Sequence, residues 1–388
     1  MKTVLNYVLD YLKNIDKILP LICLALIGFE IFLMNSMVTT GFINEETFRT
    51  QVFACILGIL VGIVISAIDY RFFSKIWFVI APVAVILQLL LFTPLGVQRD
   101  DDIAWLDFGF ATIQPSEILK FVYIITLATH ISKLGENINS PKHLILVCIH
   151  GLAPAALIIV QGDAGSALVF VFMFICMLFM AGISWKYLLA GIAAVPVVAL
   201  LAWNFVMQDK HKIRFLILFN KDLQETEKLG KFYQQYNGTI VLGSGQLTGL
   251  GFNQEHYHET PELSTDFIFA YIGMTLGFIG CMAVVIMLAL LCLKLLSNAS
   301  GAQTQLGKLI CVGVFAMIFF HCVINIGVVL CVVPVIGIPL PFLSRGGTAI
   351  IMVNACIGLV LSVSAHKEKE KHMFQKQKKY KNFVDKRN

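Results

Sequence analysis

The sequence predicts an all-α integral membrane protein with ten transmembrane helices and a large ordered extracellular loop between spans 7 and 8. The first observation is composition: 58% of residues are hydrophobic and only 14% are charged, with a mean hydropathy of +0.81. Such a composition is typical of an integral membrane protein. The second is that apolar runs of about 17 or more residues, long enough to cross ~30 Å of hydrocarbon, occur ten times.

The ten runs give the domain boundaries. They lie at about 18–37, 52–69, 76–94, 115–132, 143–161, 164–183, 187–206, 266–296, 307–333 and 347–365. The first begins near Ile18 after a polar lead, which predicts an uncleaved signal anchor. We therefore expect a cytoplasmic N-terminus (1–17), a ten-span membrane domain (18–365) with a large loop at 207–264, and a basic cytoplasmic tail (366–388).

Basic residues predict the orientation, because cytoplasmic connections are enriched in Lys and Arg. With a cytoplasmic N-terminus, that side collects nine basic residues of the tail together with Lys2, Lys13, Lys17, Arg71, Lys75, Lys133, Lys142, Lys186, Lys294 and Lys308. The other side has Arg49, Arg99, Arg345 and six basic residues of the long loop, which count little. Both termini are thus expected in the cytoplasm.

Two compositional features narrow the function classes. The net charge of +5 comes mostly from the tail, which is a solvated topology anchor or a contact for anionic headgroups. No aromatic platform or recognition motif accompanies it, so we do not expect nucleic-acid binding. The ten Cys residues form no C-x-x-C pair and lie mostly in apolar runs, where they are expected to be small core residues.

The connection between spans 3 and 4 is too polar to be a simple link. It ends in Gln114-Pro-Ser-Glu-Ile-Leu-Lys120, where Pro115 suits a first helical position and Glu117 a first turn. Lys120, three residues after Glu117, is directed towards hydrocarbon, which is costly unless the amine is paired or lines a wet cavity. A structural helix pair and a site cation are both consistent with these residues.

The long loop of about 58 residues exceeds the usual connection length and is expected to be functional. Its aromatic and aliphatic residues alternate with basic ones, including Arg214, which predicts short amphipathic helices on the outer leaflet. There the basic residues would meet the phosphates of a lipid-linked ligand or of headgroups. The glycines at 243, 245, 249 and 251 form either an amide nest for an anion or an ordinary turn.

Asp266 stands where the polar loop becomes an apolar helix. A carboxylate at that boundary caps a helix, pairs with a cation, or performs chemistry at the membrane surface. If the helix begins near Thr265, Glu262 and Asp266 are about one turn apart and can face the same outer cavity.

The last polar feature is the stretch from Val332 to Thr348, with Asn325 before it. Its three prolines and three glycines prevent a continuous helix and predict a re-entrant loop, which is permitted at membrane depth only when packed in protein or facing water. Ser344 would cap the next helix, while Arg345 and the amides of Gly346 and Gly347 would offer a second anion-binding corner.

Together these motifs resemble one family. The combination of Gln114–Lys120, Gly243-Ser-Gly with Gly249-Leu-Gly251, Pro261-Glu262 with Thr265–Gly273, and Ile338–Ser344 with Gly346-Gly347 is similar to the SEDS proteins of shape, elongation, division and sporulation: the RodA, FtsW and SpoVE group. The resemblance covers nearly the whole chain, and the motifs come in the family's order.

The resemblance implies a peptidoglycan glycosyltransferase that polymerises lipid II at the outer face of the bacterial cytoplasmic membrane with a class B penicillin-binding protein, for cell elongation and shape or for division. Asp266 matches the family's catalytic aspartate. Glu117 and Lys120 match its polar pair in the same cavity, and Arg99, Trp105 and Arg214 fall where family members carry functional loop residues.

These residue types suit that chemistry. Asp266 can take the proton of an acceptor hydroxyl as general base. Cations from Lys120, Arg214 or Arg345, or a bound divalent cation such as Mg²⁺ or Mn²⁺, would stabilise charge on a departing pyrophosphate.

Some positions depart from the family pattern. Met274 and Thr275 replace a usual Glu-Glu pair, Arg345 a usual Tyr, and Asn237 an expected Gln. Two other function classes remain open: a lipid II flippase or other transporter, which would need midplane charges and an internal repeat, and a non-catalytic scaffold of the cell-wall synthesis complex.

Overall fold

The computed structural model describes residues 11, 13–99, 102–109, 111–207, 209–252 and 262–366. The helices, in our numbering, are α1 (Ile18–Thr39), α2 (Glu45–Ala67), α3 (Tyr70–Lys75), α4 (Trp77–Leu89), α5 (Pro115–Leu134), α6 (Pro141–Val160), α7 (Ala164–Met180), α8 (Trp185–Leu201), α9 (Asp209–Ile217), α10 (Lys221–Thr226), α11 (Tyr233–Ser244), α12 (Ile268–Gly301), α13 (Gln305–Val329) and α14 (Gly347–Ala365). The basic tail after His366, most of the predicted N-terminal segment, and Pro261 lie outside the described residues.

Eight of the described helices are long and apolar enough to cross a membrane. Two shorter apolar helices, at Trp77–Phe92 and Ala164–Met180, fall on the third and sixth predicted runs. The chain is a multi-pass membrane protein, mostly helical as its composition predicts.

Helix α13 lies at the centre of the bundle. It packs against α12, α7, α5 and α14, and most of its side chains are buried although the helix is long and apolar. A hydrophobic helix buried on most sides is expected where other helices, rather than lipid, surround it. Polar side chains on α13 therefore have to find partners inside the protein.

The tightest seam joins α2 to α14 through glycines. A Cβ added at Gly358 would lie 2.3 Å from the carbonyl oxygen of Gly62, and one at Gly62 would lie 2.8 Å from the carbonyl oxygen of Asn354. Small residues allow helix backbones to approach this closely inside a membrane. This α2–α14 seam brings the two helix backbones into direct contact at the middle of α14.

The all-α prediction missed a small sheet between α4 and α5. The described residues there form three antiparallel strands, β1 (Gly96–Arg99), β2 (Asp102–Asp107) and β3 (Thr112–Ile113). Gly109, at φ +81°, makes the tight turn between the last two. The Ile103 amide donates to the Gln161 carbonyl, which ties the sheet to the end of α6.

The long loop contains short helices, as predicted: α9, α10 and α11 account for much of its described part. Of the two interpretations left open for the glycines, the contacts favour the ordinary turn over the anion nest. The amides of Leu250 and Gly251 donate to the carbonyls of Met274 and Thr275, beside a break in α12 where Gly277 has φ +66°. The glycines allow the loop backbone to approach the backbone of α12 closely. The amides of Leu250 and Gly251 already have hydrogen-bond partners there.

Candidate functional site

The centre of the candidate site is the re-entrant segment, defined here as residues 330–346, which joins α13 to α14 without forming a helix. It is held from the side by α13. Asn325 Nδ2 donates to the Ile338 carbonyl at 2.8 Å, and the ring of His321 bonds the Pro339 carbonyl through Nδ1 at 3.2 Å. Non-helical backbone at membrane depth needs such internal partners. The predicted break in helix before α14 is therefore confirmed, and that the segment re-enters the membrane stays a prediction.

Glu117 and Lys120 form a buried ion pair at the start of α5. Lys120 Nζ lies 2.6 Å from Glu117 Oε1, with the two side chains 1% and 3% exposed. The ammonium also lies 3.2 Å from His321 Nε2. Since His321 Nδ1 donates to the Pro339 carbonyl, Nε2 is the acceptor and the ring is neutral. The helix pair exists, and it also holds a cation against the re-entrant segment.

Asp266 precedes its helix instead of beginning it. Residues 262–267 form turns, and α12 starts at Ile268 with Phe267 in the N-cap position. The helix thus does not begin near Thr265, so the condition under which Glu262 and Asp266 would lie one helical turn apart is not met, and Asp266 is not part of the first turn. The reason is a tertiary contact that sequence patterns do not reveal: Asn325 Nδ2 donates to the Asp266 carbonyl at 2.8 Å and fixes the backbone in a turn.

The Asp266 side chain is half-exposed and faces the re-entrant segment. A Cβ added at Gly337 would lie 3.9 Å from Asp266 Oδ2, and Gly337 itself has φ +67°. Arg214 of α9 reaches the same stretch, because its Nη1 donates to the Val335 carbonyl at 3.3 Å. The segment 335–339 thus lies beside the Asp266 side chain, accepts a hydrogen bond from Arg214, and is connected to Lys120 through His321.

Two predicted neighbours, Glu262 and Arg345, occupy the surrounding turns. Glu262 is exposed at φ +60°, and its carboxylate accepts from the Thr265 hydroxyl at 2.5 Å. The Arg345 amide donates to the Ser264 carbonyl at 2.8 Å. These contacts bind the turn before α12 to the end of the re-entrant segment.

Ser344 does not cap α14, and that expectation is wrong. The N-cap is Gly346, without a side-chain cap bond. The Ser344 hydroxyl donates to the Thr265 carbonyl at 2.6 Å and accepts from the Leu340 amide at 2.8 Å. The Gly346 amide donates to Gln51 Oε1 at 3.1 Å. One of the two amides predicted to bind an anion therefore already has a partner.

The two predicted residues of the sheet, Trp105 and Arg99, lie in β2 and β1. Trp105 is half-buried in β2, opposite Val97 of β1. Arg99 ends β1 in register with Asp102, and its side chain lies outside the described residues. No distance places either side chain against Asp266, so the pair stays a prediction.

Sequence reasoning missed Asp163 and His321 as site groups. Asp163 caps α7 by accepting from the Ser166 amide at 2.8 Å. Burial raises the pKa of the Asp163 carboxyl above its ordinary value, although the Ser166 hydrogen bonds and the charge of Lys120 act in the opposite direction. Asp163 lies two residues before Gly165, where an added Cβ would lie 2.2 Å from the Ile336 carbonyl oxygen, so the start of α7 packs against the re-entrant segment. A single carboxylate between two apolar runs was the available signal.

The described side chains were compared with the usual ligand sets of a metal site. Among the described residues, no group of three or more His, Cys, Asp or Glu side chains is arranged to hold a metal ion, and the near oxygen of Glu117 is bound to Lys120. The chain's own ammonium and guanidinium groups are the cations that this geometry supplies.

A small cavity lies behind the segment. Its volume is about 20 Å³, enough for about one water molecule, and its polar lining comes from Glu117, His321 and Ser344. It separates the buried ion pair from the turn that carries Ser344.

Comparison with known proteins identifies the family. The FtsW, RodA and SpoVE family model, described as "Cell cycle protein", matches residues 16–369. Peptidoglycan glycosyltransferase MrdB of Escherichia coli K12 is 30% identical over 319 residues, covering 80% of this chain and 84% of that protein. Stage V sporulation protein E of Bacillus subtilis is 31% identical over 366 residues, covering 90% and 97%.

The fold is also shared. A chain from a structure described as "Structural coordination of polymerization and crosslinking by a peptidoglycan synthase complex" superposes with a TM-score of 0.76 at 24% identity, covering 91% of this chain and 98% of that one. With the family model spanning nearly the whole sequence, the chain is a member of the FtsW, RodA and SpoVE family of cell cycle proteins.

Proposed function

We propose that this protein is a peptidoglycan glycosyltransferase that polymerises lipid II. The observation that carries the proposal is the position of Asp266: half-exposed, beside a re-entrant segment that also contacts Arg214 and, through His321, Lys120. The name of the related MrdB, a peptidoglycan glycosyltransferase, points to the same activity.

Asp266 is the general base in this proposal. Chain growth requires a hydroxyl of the acceptor sugar to attack the anomeric carbon of a donor whose leaving group is a lipid pyrophosphate. A carboxylate within hydrogen-bond reach of that hydroxyl removes its proton as the bond forms. One carboxylate is enough, because a pyrophosphate leaves without being protonated, unlike the leaving group of a glycosidase.

The cations stabilise the leaving group. Charge develops on the pyrophosphate as the glycosidic bond breaks, and fixed positive groups in a site shielded from water stabilise it without reorganising. Lys120 is held in place by Glu117 and His321, and Arg214 is held by the Val335 carbonyl. Arg345 stands at the end of the same segment and is proposed to contact phosphate as well.

Four further residues are proposed to bind the sugars or the lipid-linked chain. Glu262 is exposed in the turns that precede α12, four residues before Asp266, and suits contact with an acceptor hydroxyl. Ser344 holds that turn in place through the Thr265 carbonyl. Trp105 and Arg99, on the sheet, are proposed to contact the lipid-linked chain.

The membrane arrangement proposed here has ten spans, with Asp266 and the long loop on the outer face of the bacterial cytoplasmic membrane and both termini inside. Eight long apolar helices and two shorter ones support the count. The excess of Lys and Arg in the connections on the opposite side from the long loop supports this orientation, because cytoplasmic connections are enriched in basic residues.

The proposed partner is a class B penicillin-binding protein. Polymerised strands have to be crosslinked, and the structure with the TM-score of 0.76 is described as a synthase complex that coordinates polymerization with crosslinking. A transpeptidase at the outer face would receive the strand as it leaves the groove.

The function is tested with purified protein and its cognate penicillin-binding protein in proteoliposomes containing labelled lipid II. The proposal predicts a ladder of glycan strands on a gel when the lipid II is supplied on the side of the long loop. Translocation of lipid II without strands would establish a transporter instead. Neither polymer nor translocation, with the complex intact, would point to a scaffold.

A further inference from the structure

Two adjacent carbonyls of the re-entrant segment are bound by two residues of one helix. The Ile338 carbonyl accepts from Asn325 Nδ2 at 2.8 Å, and the Pro339 carbonyl accepts from His321 Nδ1 at 3.2 Å. His321 and Asn325 are four residues apart on α13, so they project from the same face one turn apart, about 6 Å along the axis.

Each of these two residues also holds one group of the candidate site. His321 Nε2 lies 3.2 Å from Lys120 Nζ, and Asn325 Nδ2 donates to the Asp266 carbonyl at 2.8 Å. The two side chains are 5% and 1% exposed. At that burial, water cannot easily replace a lost bond.

We propose that His321 and Asn325 are positioning residues that set the spacing between the Lys120 ammonium and the Asp266 turn. The inference rests on the proposed function, in which Asp266 deprotonates the acceptor hydroxyl and Lys120 stabilises the departing pyrophosphate. A helix is the stiffest element available for fixing such a distance, since its backbone bonds are satisfied internally even in lipid. The re-entrant segment is bonded to both residues and therefore keeps a fixed position relative to the Lys120 ammonium and the Asp266 turn.

Asn325 has the larger effect of the two. Its Nδ2 bonds two carbonyls from different segments, so its loss leaves both without this donor and frees the Asp266 turn to move. A displacement of about 1 Å at a reacting group lowers a rate by about 100-fold. We expect Asn325→Leu, which keeps the volume and removes the donor, to lower kcat by about 100-fold with little change in KM.

His321 acts through its neutral ring. One nitrogen donates to the Pro339 carbonyl and the other accepts from Lys120, so the residue needs one donor and one acceptor at once. Gln carries both and Leu carries neither. We expect His321→Leu to lower kcat by about tenfold or more, as one lost charge-assisted bond does, and His321→Gln to recover part of that loss.

Each variant is assayed in complex with the unmodified penicillin-binding protein, with lipid II as substrate, and compared with the wild-type protein. The matched control is Cys322→Ala, on the same helix and next to His321, where the sulfur lies near Cys292 of α12. The inference predicts that kcat falls for Asn325→Leu and His321→Leu, that KM stays within about twofold, since only orientation is lost, and that the control retains activity. Wild-type kcat in Asn325→Leu would overturn it.

A second readout does not depend on activity. Hydrogen exchange in peptides covering 262–267 and 333–345 should speed up in Asn325→Leu and not in Cys322→Ala, while the remaining helices stay protected. Unchanged exchange at both segments would disprove the positioning role, even if the wild type proved inactive and the proposed function failed. Faster exchange throughout the bundle would also count against it, because the role would then be general stability.

Discussion

Two seams of the bundle are packed by opposite means. Along the α2–α14 seam, backbone meets backbone at Gly62 and Gly358, with no room for one added carbon. Along the site seam, between α5, α13 and the re-entrant segment, buried polar groups such as Lys120, His321 and Asn325 meet instead. Small residues bring helices together where lipid offers no hydrophobic driving force, whereas buried polar groups persist where they act. We therefore interpret the α2–α14 seam as structural and the site seam as the location of the proposed chemistry.

The seams meet at the first residues of α14. The Gly346 amide donates to Gln51 Oε1 at 3.1 Å, and Gln51 Nε2 donates to Glu30 Oε1 at 2.6 Å. Glu30 is fully buried in α1. The rigid seam therefore anchors the far end of the re-entrant segment, while α13 anchors its middle, which explains how an irregular segment can present fixed groups.

We expect the largest effect from a substitution that disrupts the α2–α14 seam. In Gly358→Val the new Cβ would lie 2.3 Å from the Gly62 carbonyl oxygen, and backbone cannot move aside as a flexible side chain can. We expect a loss of more than about 4 kcal/mol of stability and no folded peak in size-exclusion chromatography. Gly28→Ala is the control, because a Cβ there meets nothing within 4 Å. A folded Gly358→Val variant would show that the seam is not tight.

The next effect separates the two readings of the buried ion pair. Lys120→Met leaves the Glu117 carboxylate buried without its cation, which costs about 3–5 kcal/mol, and it also removes the proposed phosphate contact. Adding Glu117→Gln should restore the thermal midpoint, because no charge is left unpaired. We expect polymerisation to stay at least 100-fold below wild type in the double variant, as expected when an electrostatic stabiliser is lost.

Recovery of both stability and activity in that double variant would contradict the account. Glu117 and Lys120 would then be a structural pair, and the cation of the site would have to come from Arg214 or Arg345.

A smaller effect is expected at Ser344. Ser344→Ala removes a donor from the Thr265 carbonyl and an acceptor from the Leu340 amide, at a cost of about 1–3 kcal/mol if neither finds a new partner. Because the Thr265 carbonyl precedes Asp266, we expect kcat to fall by about tenfold. Ser300→Ala, whose exposed hydroxyl bonds only within its own helix, should leave the rate unchanged; equal rates in both variants would remove Ser344 from the site.

The smallest effect lies at Asp16, where the chain enters α1. Burial alone would raise the pKa of this carboxyl, but hydrogen bonds from Lys294, the Leu19 amide and Asn298 outweigh it and hold the pKa below its ordinary value of 3.8. The pair therefore stabilises the fold above about pH 4, and this contribution is lost as pH falls through the lowered pKa.

Asp16→Asn tests that contribution. The variant keeps an oxygen for the Ile18 and Leu19 amides and loses the ion pair, so we expect a decrease of about 1 kcal/mol or less at neutral pH, with unchanged polymerisation. The difference in thermal midpoint between variant and wild type should shrink below about pH 4. A difference that grows on acidification would reverse the assigned direction.

Much of the fold follows from local sequence. Apolar run length predicts the spans, and Pro115 marks the first residue of α5. The prolines and glycines after Asn325 predict the re-entrant loop, since no helix can pass through them.

The details of the site depend on contacts between distant segments. Ser344 looks like a helix cap in isolation, yet its hydroxyl bonds Thr265, 79 residues away. Asp266 looks like a first-turn acid until Asn325, 59 residues later, holds its carbonyl in a turn. The glycines near 250 look like an anion nest until α12 breaks at Gly277 to meet them. Local patterns cannot reveal such partners, because one motif serves either purpose.

The most direct test of the central claim is glycan strand synthesis by Asp266→Asn in complex with the penicillin-binding protein. Asn keeps the size and the backbone contact with Asn325 but cannot accept the acceptor's proton. The account predicts that the complex assembles and that polymer on the gel falls below detection, while wild type prepared in parallel makes strands. Strands of normal length from the Asn variant would contradict it and move the catalytic base elsewhere.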